Sequence, residues 1–167
     1  MGIAIFLFGS SSAQFAGRET ANEPVIYEGA GDHNWNHPAD AREGLFSQQF
    51  GSEAAGFTGG VVQRLAVEAG VEHVFTASLK FETRQPSTEV VLRMGYDPTG
   101  QTADGNAGTI VWSGDLVGGE GRESDIWYTS SLRFVPGGSQ ASIWVSVSND
   151  KPVRVSLDDV KVEKAGP

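Results

Sequence analysis

The chain contains no cysteine. That excludes disulfide staples, thiolate catalysis and any metal site built on thiolate. Positive charge is scarce as well: 12 lysines and arginines stand against 21 aspartates and glutamates, a formal net charge of −9. Nucleic-acid affinity rests on clustered Lys and Arg, so the balance argues against a nucleic-acid partner and against anionic membrane surfaces. It reads as the charge that keeps a domain in solution. Histidine is rare and scattered, at His33, His37 and His73. The first two have helical spacing, but Asn34, Asn36 and Pro38 make their segment a poor helix, so no histidine metal pair is expected. The apolar run Met1–Phe8 is too short to span a bilayer, and no membrane insertion is expected. Enzyme signatures are missing too: there is no Gly-x-Ser-x-Gly elbow, phosphate loop or His-Glu-x-x-His. Carboxylate pairs such as Glu120 and Glu123 lie in a Gly-rich stretch with nothing to raise a pKa for acid catalysis. The chain does not read as an enzyme.

What is present is strand and turn chemistry. There are 22 glycines and 7 prolines, and Val, Ile, Phe, Thr and Trp recur between them. Period-two alternation, the mark of a half-buried strand, appears repeatedly. Val90, Leu92, Met94 and Tyr96 share one face. Phe75, Ala77, Leu79 and Phe81 share another, with Thr76, Ser78, Lys80 and Glu82 opposite. Ile143, Val145 and Val147 oppose Trp144, Ser146 and Ser148. Asp97-Pro-Thr-Gly100, Pro136-Gly-Gly-Ser139 and Asn149-Asp-Lys-Pro152 carry turn signals. No heptad, long helix or internal repeat interrupts the pattern. At 167 residues the chain suits one domain. The expected fold is all-β: an antiparallel β-sandwich of about nine to ten strands in two sheets, spanning 25–167. Residues 1–24 form an apolar strand and a polar lead-in. The run Ile3–Phe8 fits two readings, a strand that pairs with another copy of the chain or the remnant of a secretory signal. Asp32 to Arg42, with Trp35 in it, reads as a loop.

Three segments together resemble the galactose-binding-domain-like jelly rolls that serve as carbohydrate-binding modules in bacterial extracellular proteins. They are Gly59–Gly70 (GGVVQRLAVEAG), the run Glu89–Trp112 with its Asp-Pro-Thr-Gly turn and Ile-Val-Trp end, and Val155–Val162 (VSLDDVKV). The resemblance covers residues 44–163. Val25–Glu28 is the nearest equivalent of the family's opening strand, and Ser78 stands where many members carry an outward aromatic. The resemblance implies a jelly roll, an extracellular or cell-surface setting and a non-catalytic glycan-binding role. It also implies that Gln63 lines the cleft and that Asp158 and Asp159, joined by Glu28, help hold a structural calcium, which needs six or more oxygens.

Glycan recognition needs an aromatic platform for pyranose C–H faces and polar groups for hydroxyls. Trp144, on the polar face of its strand, is the expected platform. Arg93, Lys80 and Ser146 are expected to join it in one patch if their strands are neighbours, and Trp35 to contribute from its loop. The competing reading is structural: a subunit of a filament, surface layer or virus particle that assembles through Ile3–Phe8.

Overall fold

The structure is a computed structural model, and it describes residues 25–27, 32–37, 42, 47–52, 56–83, 90–115 and 126–166. Among these there are ten strands and no helix, hence none long and apolar enough to cross a membrane. The strands are β1 (Val25–Tyr27), β2 (Asp32–His37), β3 (Ser47–Ser52), β4 (Phe57–Ala66), β5 (His73–Thr83), β6 (Val90–Asp97), β7 (Val111–Trp112), β8 (Tyr128–Phe134), β9 (Gln140–Asn149) and β10 (Val153–Lys164). They pair antiparallel in two five-stranded sheets, β1-β4-β9-β6-β7 and β2-β3-β10-β5-β8. The chain therefore passes repeatedly from one sheet to the other, as a jelly roll does.

Alternation sets which residues meet between the sheets. Leu92 and Met94 of β6, Ile143 and Val145 of β9 and Val61 of β4 come from the first sheet. Phe75 and Leu79 of β5, Phe50 of β3 and Val155 and Leu157 of β10 come from the second. Burial of such side chains is worth about 1.5–3 kcal/mol each and is the main force holding the sheets face to face. Gln63 belongs to this inner layer, in register with Ile143, and is 2% exposed. It does not line a solvent cleft.

Two segments differ from the sequence expectation. Residues 32–37 are a strand, not a loop, because β3 offers them a ladder: Asp32 faces Gly51, His33 faces Phe50 and Asn34 faces Gln49. Asp and Asn are poor strand formers, so here the partner's hydrogen bonds decide. Strand β4 begins at Phe57, four residues before Val61, and carries Gly59 and Gly60 inside its pairing with β9. The run Ile3–Phe8 and Glu28 lie outside the described residues.

Candidate functional site

The outer face of the first sheet can be built row by row from its register. One row joins Val62 of β4, Trp144 of β9, Gly95 of β6 and Trp112 of β7. The next row toward the other end of the strands joins Tyr27 of β1, Gly60, Ser146 and Arg93. Beyond it lie Thr58, Ser148 and Val91.

The first row is closed. Trp144 points away from the main core, as alternation predicts, but its exposure is 0%. Val62 and Ile110 pack with it in a second apolar cluster, flanked by Ala107 and Trp112. The rings of Trp112 and Trp144 meet edge to face, with centroids 6.5 Å apart. Indole Nε1 of Trp144 donates to Ser142 Oγ at 2.8 Å, and Ser142 Oγ donates to the Gln101 carbonyl at 2.6 Å. The segment 98–113 is thus folded back over Trp144. The expectation of an open stacking platform at Trp144 is corrected: it is the floor under a loop. Gly95 makes this cover possible, since a Cβ there would come within 2.7 Å of the Trp112 ring.

Asp97 is the knot that ties the cover down. Its Oδ1 accepts from the Thr99 amide at 2.7 Å and from Thr99 Oγ1 at 2.6 Å, while Oδ2 accepts from Thr109 Oγ1 at 2.5 Å. The loop's first turn is thereby bound to its last. Burial pushes the Asp97 carboxyl up, but hydrogen bonds from Thr109, Thr99 and Gln101 outweigh it and hold it below its ordinary 3.8. Arg64 Nε adds a bond to the Gly100 carbonyl at 2.6 Å, where Gly100 takes a φ of 72°. The Asp-Pro-Thr-Gly turn is thus bonded within its own loop and to Arg64.

The second row is partly open: Arg93 is exposed, Ser146 half-buried and Gly60 buried. Gly60 and Ser146 are small, so the sheet forms a shallow trough there. Arg93 stands beside Ser146 with its side chain 47% exposed, and its Nε donates to Asp115 Oδ1 at 2.8 Å. Thr58 and Ser148 share a hydrogen bond at 3.1 Å along the trough's floor. Arg93 and Ser146 are the two expected site residues that the structure brings together. Asp115, Gly60, Thr58 and Ser148 were missed. Counting back from Val62 by twos locates Gly60 and Thr58, whereas no local signal marks Asp115, which lies in a Gly- and acid-rich stretch.

Lys80 and Trp35 belong elsewhere. Both are on the second sheet, in β5 and β2, so the whole sandwich separates Lys80 from Arg93. Lys80 is 6% exposed, with its ammonium 5.7 Å from the Trp127 ring centroid. On the same outer face Ser78, Ser156 and Gln49 are buried, and Gln49 Nε2 donates to Ser156 Oγ at 3.4 Å. Arg42 donates from its guanidinium to Ser78 and Thr129.

Asp158 and Asp159 sit at a bulge in β10, where the register with β5 shifts and Asp159 takes a φ of 48°. Asp158 Oδ1 accepts from the Asp159 amide and Oδ2 from the Arg42 amide, both at 2.8 Å. Asp159 faces the Lys161 ammonium. Among the described residues no group of three or more carboxylates and imidazoles could hold a metal ion. The Asp158 carboxylate is thus turned to two backbone amides and Asp159 Oδ1 to a cation, while Glu28, the third expected calcium ligand, lies outside the described residues.

No protein-family model and no curated protein matches the sequence. Solved structures do match. The TmCBM61 structure in complex with β-1,4-galactotriose superposes with a TM-score of 0.61 at 16% identity, over 98% of this chain and 100% of that one. The CBM22-1 xylan-binding domain of Paenibacillus barcinonensis Xyn10C gives 0.60 at 14%, over 99% and 100%. The enzymatically active domain of bacteriophage CBA120 tailspike protein 4 gives 0.58 at 15%, over 96% of this chain but only 22% of that one. The chain has the jelly-roll fold of carbohydrate-binding modules. At such identities the likeness is one of fold, and a fold of this kind hosts many functions.

Proposed function

We propose that the chain is a non-catalytic glycan-binding domain that holds its ligand in the open half of the first sheet's outer face. The observation that carries this reading is the row Gly60, Ser146 and Arg93, a shallow polar trough beside a half that is sealed by its own loop. A trough of small residues admits a flat pyranose, and Ser146, Arg93, Ser148 and Thr58 offer hydroxyls and a guanidinium to sugar oxygens. Half-buried Trp112 stands one row away as an apolar wall. Modules of the same fold, spanned nearly end to end, include one solved with galactotriose and one named for xylan binding. Polysaccharides of that class lie outside cells, so an extracellular setting goes with the reading.

Affinity electrophoresis in xylan and galactan, followed by calorimetry, tests it. Wild type should be retarded by at least one of the two and release no reducing ends. Arg93→Ala should bind about tenfold more weakly, about 1.4 kcal/mol, with an unchanged melting temperature. Wild type that migrates freely in every neutral polysaccharide sinks the proposal.

A further inference from the structure

We infer that Asp115 is a charge gate: it makes the trough accept neutral sugars and turn away uronates. The inference rests on the glycan-binding reading and adds the substrate class. Among the described residues of the trough's rows, Arg93 is the only cation, and its Nε is already bound to Asp115 at 2.8 Å. Arg64, on the closed side, is committed to the Gly100 carbonyl. A free guanidinium is a fork that fits a carboxylate bidentately, and it would make this trough a uronate site. Asp115 takes the Nε–H of that guanidinium and sets a negative charge beside the place a sugar carboxylate would have to occupy. The chain's net charge of −9 adds a repulsive field of the same sign.

A neutral sugar meets no such barrier. The remaining guanidinium N–H groups donate to its hydroxyl oxygens, and Asp115 stays outside that contact. Holding the fold together is not what the pair is for. Both side chains are about half exposed, at 47% and 51%, and ion pairs of that kind contribute little to stability.

The test uses Asp115→Asn, which keeps the shape and removes the charge, with polygalacturonate, xylan and galactan as probes. Wild type should bind a neutral polysaccharide and ignore polygalacturonate. D115N should keep neutral binding within a few fold and gain polygalacturonate binding by about tenfold or more, a gain abolished by about 0.5 M salt. The double variant Arg93→Ala/Asp115→Asn should lose the gain, which shows that Arg93 carries it. If wild type binds a neutral polysaccharide but D115N gains nothing on polygalacturonate, the gate is overturned and the glycan-binding reading stands. Wild type that binds polygalacturonate as well as neutral chains also overturns the gate. Wild type that binds no neutral polysaccharide overturns both.

Discussion

On the outer face of the second sheet, Lys80, Ser78, Ser156 and Asp158 are polar and buried. On the outer face of the first, Val62 and Trp144 are apolar and buried, while Ser146 and Arg93, two residues or one strand away, are polar and half-buried or exposed. Polarity does not sort these positions into covered and open. Alternation tells which face of a sheet a side chain occupies, and it does so correctly for all of them. Whether that face meets water depends on what the rest of the chain lays over it. On the first sheet the cover is the segment 98–113, whose Ile110 and Trp112 complete an apolar layer. On the second, the ammonium of Lys80 lies over Trp127 and Arg42 reaches Ser78 and Thr129.

The contrast between the closed and open halves of the first face can be broken by mutation. The largest effect is expected from Trp144→Ala. It should cost about 3–5 kcal/mol in urea unfolding, because it empties a fully buried site under the loop. A loss below about 1 kcal/mol would mean that Trp144 is not the floor of that layer.

Asp97→Asn comes next. The buried carboxylate accepts from three loop donors, so replacing the charge should cost about 1.5–3 kcal/mol. The same group sets an acid dependence. Its folded pKa lies below 3.8, so the unfolded chain binds the proton more readily. The stabilisation is complete above 3.8 and is lost as pH falls through the lower folded value. Tryptophan fluorescence during acid titration should shift red as the loop lifts from Trp144, and D97N should lack that component of the shift. Identical titrations for the two proteins would assign the knot to other groups.

Gly95→Ala should cost about 1–3 kcal/mol, since the new methyl enters the space of the Trp112 ring and Ile110. The near-ultraviolet circular dichroism of the tryptophan pair should weaken with it, and an unchanged spectrum would argue against that contact. The smallest effect belongs to the open half. Arg93→Ala should change stability by less than about 1 kcal/mol, because its ion pair with Asp115 is half exposed. A large loss there would turn the trough from a ligand surface into part of the scaffold.

Particular residues show how much of this was legible. The strands β5, β6 and β9 were plain in the alternation of Phe75 to Phe81, Val90 to Tyr96 and Ile143 to Val147. Strand β2 was not, because Asp32, His33 and Asn34 form a strand only by virtue of the β3 edge that they pair with. For the site, Arg93 and Ser146 were legible as outward polar residues, and the structure makes them neighbours. Lys80 carried the same local signal and went to the other sheet, since period two does not say which sheet a strand joins.

By itself, the sequence determined that this chain folds as an all-β sandwich, which residues face inward, and where the chain turns. Those properties are local: they follow from side-chain period, glycine and proline placement, and composition. Only the tertiary structure decided which strands are neighbours, that Trp144 lies beneath a loop knotted at Asp97, and that Arg93 meets Asp115 across 22 residues of chain. Those are long-range facts. They depend on which backbone edges pair and which loop covers which face, and side-chain period does not encode either.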